Sequence, residues 1–375
     1  MLRSQTISER LQESMQLHCL PPRSVFQRVW HFFHGFKYLV LIHTSFSFAS
    51  LVSIAFHHSL ITENHLTTSC LFSLLVFGYG YCVLLWSIVK PNIGILLELF
   101  IGTALSLERI STPEQKFKMS KIARIARLII NSQNATVYFC ISLYAAIPLR
   151  TGRLLIPMPY LPEGWGYFWF MYFVQTSLLS SGLLCYLSII ICQFEICCCL
   201  ISAFRTLSEH FEESTGKEDI SVLVRVHRSL LDISKMMTKM FEIPWTLFLC
   251  AKITVMVIST CNIMRGRGDA LNWLFLASML SFLYATCFLS DLLSESSESI
   301  ATAINRCNWL SFDVDTRRVL VFVTFRSHKP AYFTSLFFGR LNVDKYLKIV
   351  RQWYSLVQAF LNLWFQTICN VCAIP

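Results

Sequence analysis

Seven apolar stretches, separated by loops of very unequal basicity, constrain this chain more than any other feature. They occupy residues 38–56, 66–89, 132–149, 167–194, 244–263, 271–290 and a last one near 346–369. Six of them reach about the ~20 residues an α-helix needs to cross the hydrocarbon core, and 132–149 is the shortest. The segments before the first stretch and after the second, fourth and sixth hold 5, 7, 6 and 6 Lys or Arg. Those after the first, third, fifth and seventh hold 0, 2, 2 and 0. With Lys345, Lys348 and Arg351 at the start of the last stretch, the balance is 27 against 4, and only Lys252 lies inside a span. Basic loops are retained in the cytoplasm. The expected architecture is therefore an all-α membrane protein of seven transmembrane helices, with the amino terminus cytoplasmic and the carboxyl terminus extracellular.

Composition agrees. The chain is 54% hydrophobic and 14% charged, with a mean hydropathy of +0.53. A soluble domain of this length has no interior for so much apolar chain. The net charge of +10 is explained by the retained loops, so no nucleic-acid partner is expected. Residues 1–37 carry charged and polar groups throughout, so the first apolar stretch reads as a span and not as a cleaved signal. Of the 15 cysteines, Cys70, Cys82, Cys140, Cys185, Cys192, Cys250, Cys261 and Cys287 lie inside spans, where cysteine acts as a small hydrophobe. The predicted outside loops contain none, which argues against extracellular disulfides. Cys197-Cys198-Cys199 read as packing at a helix end in preference to acylation. Asn134-Ala135-Thr136 matches a glycosylation sequon that the topology places inside.

Three inside connections have helical periodicity. Residues 114–134 alternate Lys116, Lys118, Lys121, Arg124 and Arg127 with Ile122, Ile125, Leu128 and Ile129. The fourth span continues through Phe204 and Leu207 to a break at Ser214-Thr215-Gly216. A new helix carrying Val222, Val226, Leu230, Ile233 and Met237 then leads into the fifth span. The sixth span continues through Leu293, Ile300, Ala303 and Ile304. Helices that leave the membrane on one side are expected to pack into a cytoplasmic anchor bundle.

No enzyme is expected, because Gly-rich phosphate loops, His-x-x-x-His pairs and Gly-x-Ser-x-Gly elbows are all missing. His57, His58 and His65 sit at predicted membrane edges. The fourth span opens with Trp165, Phe168, Trp169, Phe170, Tyr172 and Phe173, partly an interfacial aromatic belt. Tyr172, Gln175 and Thr176 lie deeper on one helical face. Hydroxyls among aromatics suit an apolar pocket for a small molecule more than a lipid-facing surface. Lys252 either snorkels along its helix or lines an ion-path vestibule. In the last span Ile349, Trp353, Val357 and Leu361 share one face with Gln358 beside it, a stripe compatible with helix packing or with a pore.

The carboxyl-terminal third resembles the insect odorant receptors. Ser294, Glu295 and Ser299 followed by Trp309 match the family's acidic, serine-rich run ending in tryptophan. Arg317-Arg318-Val319-Leu320 and Arg326-Ser327-His328-Lys329-Pro330 resemble its basic–apolar stretch and its Arg-Ser-Gln-Lys/Arg-Pro motif, with His328 in place of glutamine. Tyr354-Ser355 sits where the last span has Tyr-Ser, and the chain continues from Leu361 to Pro375, longer than in many relatives. The related gustatory receptors, a rival ligand-gated class, have Thr-Tyr with a later Gln-Phe. Here Trp353-Tyr354 is followed by Gln358 and then Phe360, so the odorant branch fits better. A G-protein-coupled receptor would have the opposite orientation, and a transporter would show an inverted repeat; no such repeat is visible.

The resemblance implies an odorant-gated, non-selective cation channel subunit that forms a heterotetramer with a shared co-receptor in the plasma membrane of sensory neurons. The co-receptor's long insertion between the fourth and fifth spans is missing, which points to the tuning subunit. Residues 1–290 would carry the odorant pocket, 291–345 the subunit contacts, and 346–375 the pore-lining helix and extracellular end. A small volatile ligand would sit in the outer half against Phe72, Val76, Tyr79, Tyr144, Ala145, Tyr172, Gln175, Thr176, Leu280 and Tyr284. Val357, Gln358 and Leu361 would form the gate. No cofactor or metal is implied. Phe322, Phe325, Phe333, Phe337 and Phe338 are expected to need cover from other subunits.

Overall fold

The computed structural model describes residues 90–115, 165–214, 217–264 and 270–372, together with isolated helical positions between 121 and 150. Its helices are α1 (Lys90–Ile110), α2 (Trp165–Glu213), α3 (Lys217–Asn262), α4 (Ala270–Arg306), α5 (Val314–Ser327) and α6 (Val343–Cys372). A 3-10 turn (Trp309–Ser311) precedes α5, and a two-residue hairpin, β1 (Thr334–Ser335) with β2 (Gly339–Arg340), precedes α6. At 1.5 Å per residue the 49 residues of α2 extend about 74 Å, more than twice a hydrocarbon core. One end must therefore project beyond the bilayer. The 46-residue α3 does the same and runs unbroken through Pro244, where the fifth span begins. Proline removes one helical hydrogen bond there, so the helix enters the membrane at its weakest rung. The expected break at 214–216 separates α2 from α3. The sixth span continues to Arg306, with Leu276–Arg306 long and apolar enough to cross a membrane.

The core concentrates in these extensions. Phe194, Phe204, Leu207 and Phe211 of α2 meet Leu230, Ile233, Met237 and Phe241 of α3 and Leu293 and Ile300 of α4 in one buried cluster. The apolar row expected after residue 222 supplies four of its members. At the far end of α1, Thr112 and Gln115 exchange hydrogen bonds as a capping box, with Pro113 between them (Thr112 N–H to Oε1, 2.9 Å; Gln115 N–H to Oγ1, 3.3 Å). Two of the phenylalanines expected to need cover from other subunits depart from that expectation. Phe333 is 1% exposed and already covered inside its own subunit, and Phe338 packs partly against the same core.

The serine run of α4 has a structural reason. Ser290, Ser294 and Ser297 fall at i, i+4 and i+7 and so face one way. Ser290 Oγ accepts the Phe333 N–H (3.0 Å), Ser297 Oγ accepts the Ala331 N–H (2.9 Å), and Arg340 Nη2 donates to Ser294 Oγ (2.8 Å). On α3, Thr246 Oγ1 accepts the Leu336 N–H at 2.7 Å. A chain segment with almost no ladder of its own is thus satisfied by hydroxyls from two helices. Gly339 (φ +68°) closes the hairpin in the left-handed region, where a Cβ is strained. Asp291 Oδ2 then accepts the Val343 N–H (2.9 Å), tying the end of the sixth span to the first turn of α6.

Candidate ligand pocket and last helix

The amino-terminal end of α2 has two unlike faces. Trp169, Phe170 and Phe173 are 48%, 59% and 69% exposed. Phe168, Tyr172, Gln175 and Thr176, at i, i+4, i+7 and i+8, turn the other way. Phe168 stacks on Tyr172 at 6.3 Å, Trp169 meets Tyr172 edge-on at 5.8 Å, and Gln175 is buried. The Thr176 hydroxyl is buried without a hydrogen-bond partner among the described residues. A sequestered hydroxyl of this kind favours an acceptor-bearing occupant, because an unmet donor costs about 1–3 kcal/mol. Leu280 of α4 is half-buried. Tyr284 is instead packed between Phe288 (6.0 Å) and Tyr346 of α6 (5.5 Å) and remains 45% exposed. It links the sixth span to the start of the last helix. Phe72, Val76, Tyr79, Tyr144 and Ala145 lie outside the described residues.

On α6, Val357 is 2% exposed and rests on Val257 of the fifth span, flanked by Ile253, Trp353 and Leu361. Gln358, one step round the helix, is exposed with Tyr354 and Ser355. The helix itself continues to Cys372, so residues 361–372 extend it.

Lys252 is buried at 7% exposure, its Nζ held between the rings of Phe248 (4.7 Å) and Phe282 (4.6 Å). Two ring faces offset part of the cost of an intramembrane cation. From Phe282 a stacked column continues through Phe194 (5.4 Å), Trp245 (6.4 Å) and Phe333 (6.1 Å). It joins spans four, five and six to the segment before the hairpin. Sequence reasoning missed it because its members come from four separate elements with no shared period.

In the bundle of helix extensions His227 is buried, its Nε2 3.5 Å from Ser327 Oγ in the Arg-Ser-His-Lys-Pro run. Burial, with Arg326 nearby, pushes its pKa down to about 4. His210 bonds Ser111 (3.3 Å) and is likewise lowered, chiefly by burial. His328, in the glutamine position, is exposed and 4.0 Å from Glu298. Cys197, Cys198 and Cys199 are all buried, but they lie within α2, which continues to Glu213, and not at a helix end as expected.

These observations describe a helical protein whose main core lies where α2, α3 and α4 extend beyond their apolar stretches. Its architecture matches that of solved seven-span receptors. OR5, an insect olfactory receptor from Machilis hrabei, aligns over 95% of this chain and 97% of its own, with a TM-score of 0.74 and 10% identity. The same receptor in complex with eugenol gives 0.72 and 11% over the same shares. The 7tm odorant receptor family profile matches residues 97–354, so the chain belongs to that family. Odorant receptor 85b of Drosophila melanogaster is 25% identical over 292 residues, 72% of this chain and 75% of that protein. Odorant receptor 67a of the same fly is 28% identical over 130 residues, and the match spans 32% of its length, about a third.

Proposed function

We propose that the chain is the odorant-binding subunit of an odorant-gated, non-selective cation channel, assembled as a heterotetramer with a co-receptor in the plasma membrane of sensory neurons. The observation that carries this reading is the outward face of α6. Gln352, Ser355 and Gln358 are exposed along a helix that otherwise has the length and apolar row of a span. Polar groups at that depth are costly against lipid and inexpensive against a water-filled path. Val357 and Leu361 lie between this face and the fifth span, where an apolar collar excludes water until it widens. The basic loops put the amino terminus in the cytoplasm and the carboxyl terminus outside.

The ligand is a small volatile molecule in the outer half, against Tyr172, Gln175, Thr176 and Leu280, with Tyr284 relaying to Tyr346. Phe72, Val76, Tyr79, Tyr144 and Ala145 complete the proposed wall. The same fold takes eugenol in the Machilis receptor. Residues 1–290 then house ligand recognition, 291–345 subunit contact and 346–375 the pore. The contact surface is centred on Phe322 and Phe325, 73% and 70% exposed on α5. Near-complete burial is required of so small a ligand, since each atom contributes at most roughly 1.5 kcal/mol. The test is current recording from cells co-expressing chain and co-receptor across a volatile panel. Odorant-evoked cation current that requires both subunits is expected; a response carried by G-protein signalling without current would overturn the reading.

A further inference from the structure

Two sets of large apolar side chains remain exposed on the cytoplasmic side of the subunit, and they sit at different depths. The first is on α5, where Phe322 is 73% exposed and Phe325 lies beside Ile304, Asn305 and Trp309. Those residues are fourteen or more positions beyond Ser290, the last residue of the sixth span, so roughly 20 Å or more along α4 from the bilayer edge. The second is the hairpin tip. Leu336 is 56% and Phe337 80% exposed in the three-residue loop between β1 and β2.

That loop is fixed at the bilayer boundary by bonds to two independent spans. Leu336 N–H donates to Thr246, and the Ser335 hydroxyl is 2.9 Å from the same oxygen, two positions after Pro244 at the start of the fifth span. Phe333 N–H donates to Ser290, at the end of the sixth. Behind the tip the chain is cationic. The Arg340 guanidinium lies over Tyr332 at 4.8 Å and donates to Ser294, and Lys345, Lys348 and Arg351 follow within three turns of α6. Asp344 is the one carboxylate among residues 331–351.

We propose that the Leu336–Phe337 tip is a membrane-interface anchor, seated at the headgroup–acyl boundary of the cytoplasmic leaflet with anionic phospholipid as its partner. A rigid turn carrying two large hydrophobes at that depth buries them by entering the interface, and the adjacent cations hold the negative headgroups that surround it. The hairpin is pinned to spans five and six and runs directly into α6 through Asn342. The anchor therefore holds the inner end of the last helix at a constant depth. Only the name of the leaflet rests on the proposed orientation; the lipid contact does not.

Photo-crosslinking tests this on the full-length chain in lipid nanodiscs. Phe337→p-benzoyl-phenylalanine and, separately, Leu336→p-benzoyl-phenylalanine are illuminated in discs of phosphatidylcholine with and without phosphatidylserine. Phe173→p-benzoyl-phenylalanine serves as the lipid-facing reference and Phe322→p-benzoyl-phenylalanine as the protein-facing one. The expected main product at 336 or 337 is a phospholipid adduct by mass spectrometry, with phosphatidylserine enriched roughly fivefold over its share of the disc, the preference one nearby cation confers. A crosslink to a second polypeptide as the main product would assign the tip to a subunit interface. Absence of lipid adducts at both positions, while Phe173 yields them, would leave the tip in water. Either result overturns the proposal.

Discussion

The two ends of α2 are built for different surroundings. From Phe194 to Phe204 the described side chains are all buried, sealed by α3 and α4. From Phe168 to Thr176 the helix exposes three large aromatics, whereas a buried hydroxyl without a partner among the described residues occurs at both ends, Thr176 in this stretch and Ser202 in the other. One end is a finished protein interior made outside the membrane. The other exposes its aromatics on one face, and in the proposed reading lipid covers that face and ligand the other. Stability should therefore reside at the inner end and selectivity at the outer end.

The largest test of that division compares two phenylalanines on the same helix. Phe204→Ala removes a fully buried ring and should cost about 3–5 kcal/mol, a large share of a typical folding free energy. Phe173→Ala removes an exposed ring and should cost about 0.5 kcal/mol or less. Thermal unfolding of the purified chain and its surface fraction in cells report both. Equal losses would mean that the two ends are not distinct.

The inner end was the more legible in sequence, for a physical reason. Helical periodicity survives wherever one face is buried in protein, so the rows through Val226, Leu230, Ile233 and Met237 and through Leu293, Ile300 and Ile304 appear where the core forms. The break at 214–216 is marked by turn residues. In the half towards the amino-terminal end of α2, lipid and protein interior are equally apolar, and periodicity cannot tell them apart; the contact of Tyr284 with Tyr346 was not legible there. The hairpin was invisible because its hydrogen bonds go to serine and threonine hydroxyls on other helices. Phe333 was misjudged for the same reason, since its cover comes from Trp245 and the stacked column.

Acid should act on the inner end alone. His227 is held neutral, with a pKa of about 4 against an ordinary value of 6.5. Between those values the unfolded chain binds the proton more readily than the folded one. The contribution is fully present above about pH 6.5 and is lost as pH falls towards 4, by at most ~1.4 kcal/mol per unit. The thermal midpoint should drop through that window, and His227→Gln should flatten the slope. A slope unchanged by the substitution would place the acid sensitivity elsewhere.

The last helix packs on α3 and α4, and its response should be smaller. Val357→Asn puts an amide against Val257, where burying it unpaired costs about 1–3 kcal/mol, and it also wets the proposed collar. Current without odorant should rise about tenfold if the closed packing loses ~1.4 kcal/mol, less where the co-receptor's own gate dominates. Odorant rank order should stay the same. Basal current, block and ion selectivity all unaltered by several polar replacements would remove Val357 from the pore.

The smallest and most selective effect belongs to Thr176. Thr176→Val keeps the shape of the side chain and deletes a hydroxyl that has no partner among the described residues. Losing an unsatisfied polar group costs little or nothing, so the unfolding midpoint and surface expression should hold or rise slightly. Ligands are affected only if they use the hydroxyl. Odorants with a carbonyl, ether or alcohol oxygen should lose up to about tenfold in sensitivity, the value of one hydrogen bond to a neutral partner in a dry site. Hydrocarbons of the same size should keep theirs. Dose–response curves for paired oxygenated and hydrocarbon volatiles supply the measurement. A uniform shift across both classes would mean that Thr176 acts through packing, and the polar part of the pocket would then have to be sought on the other walls.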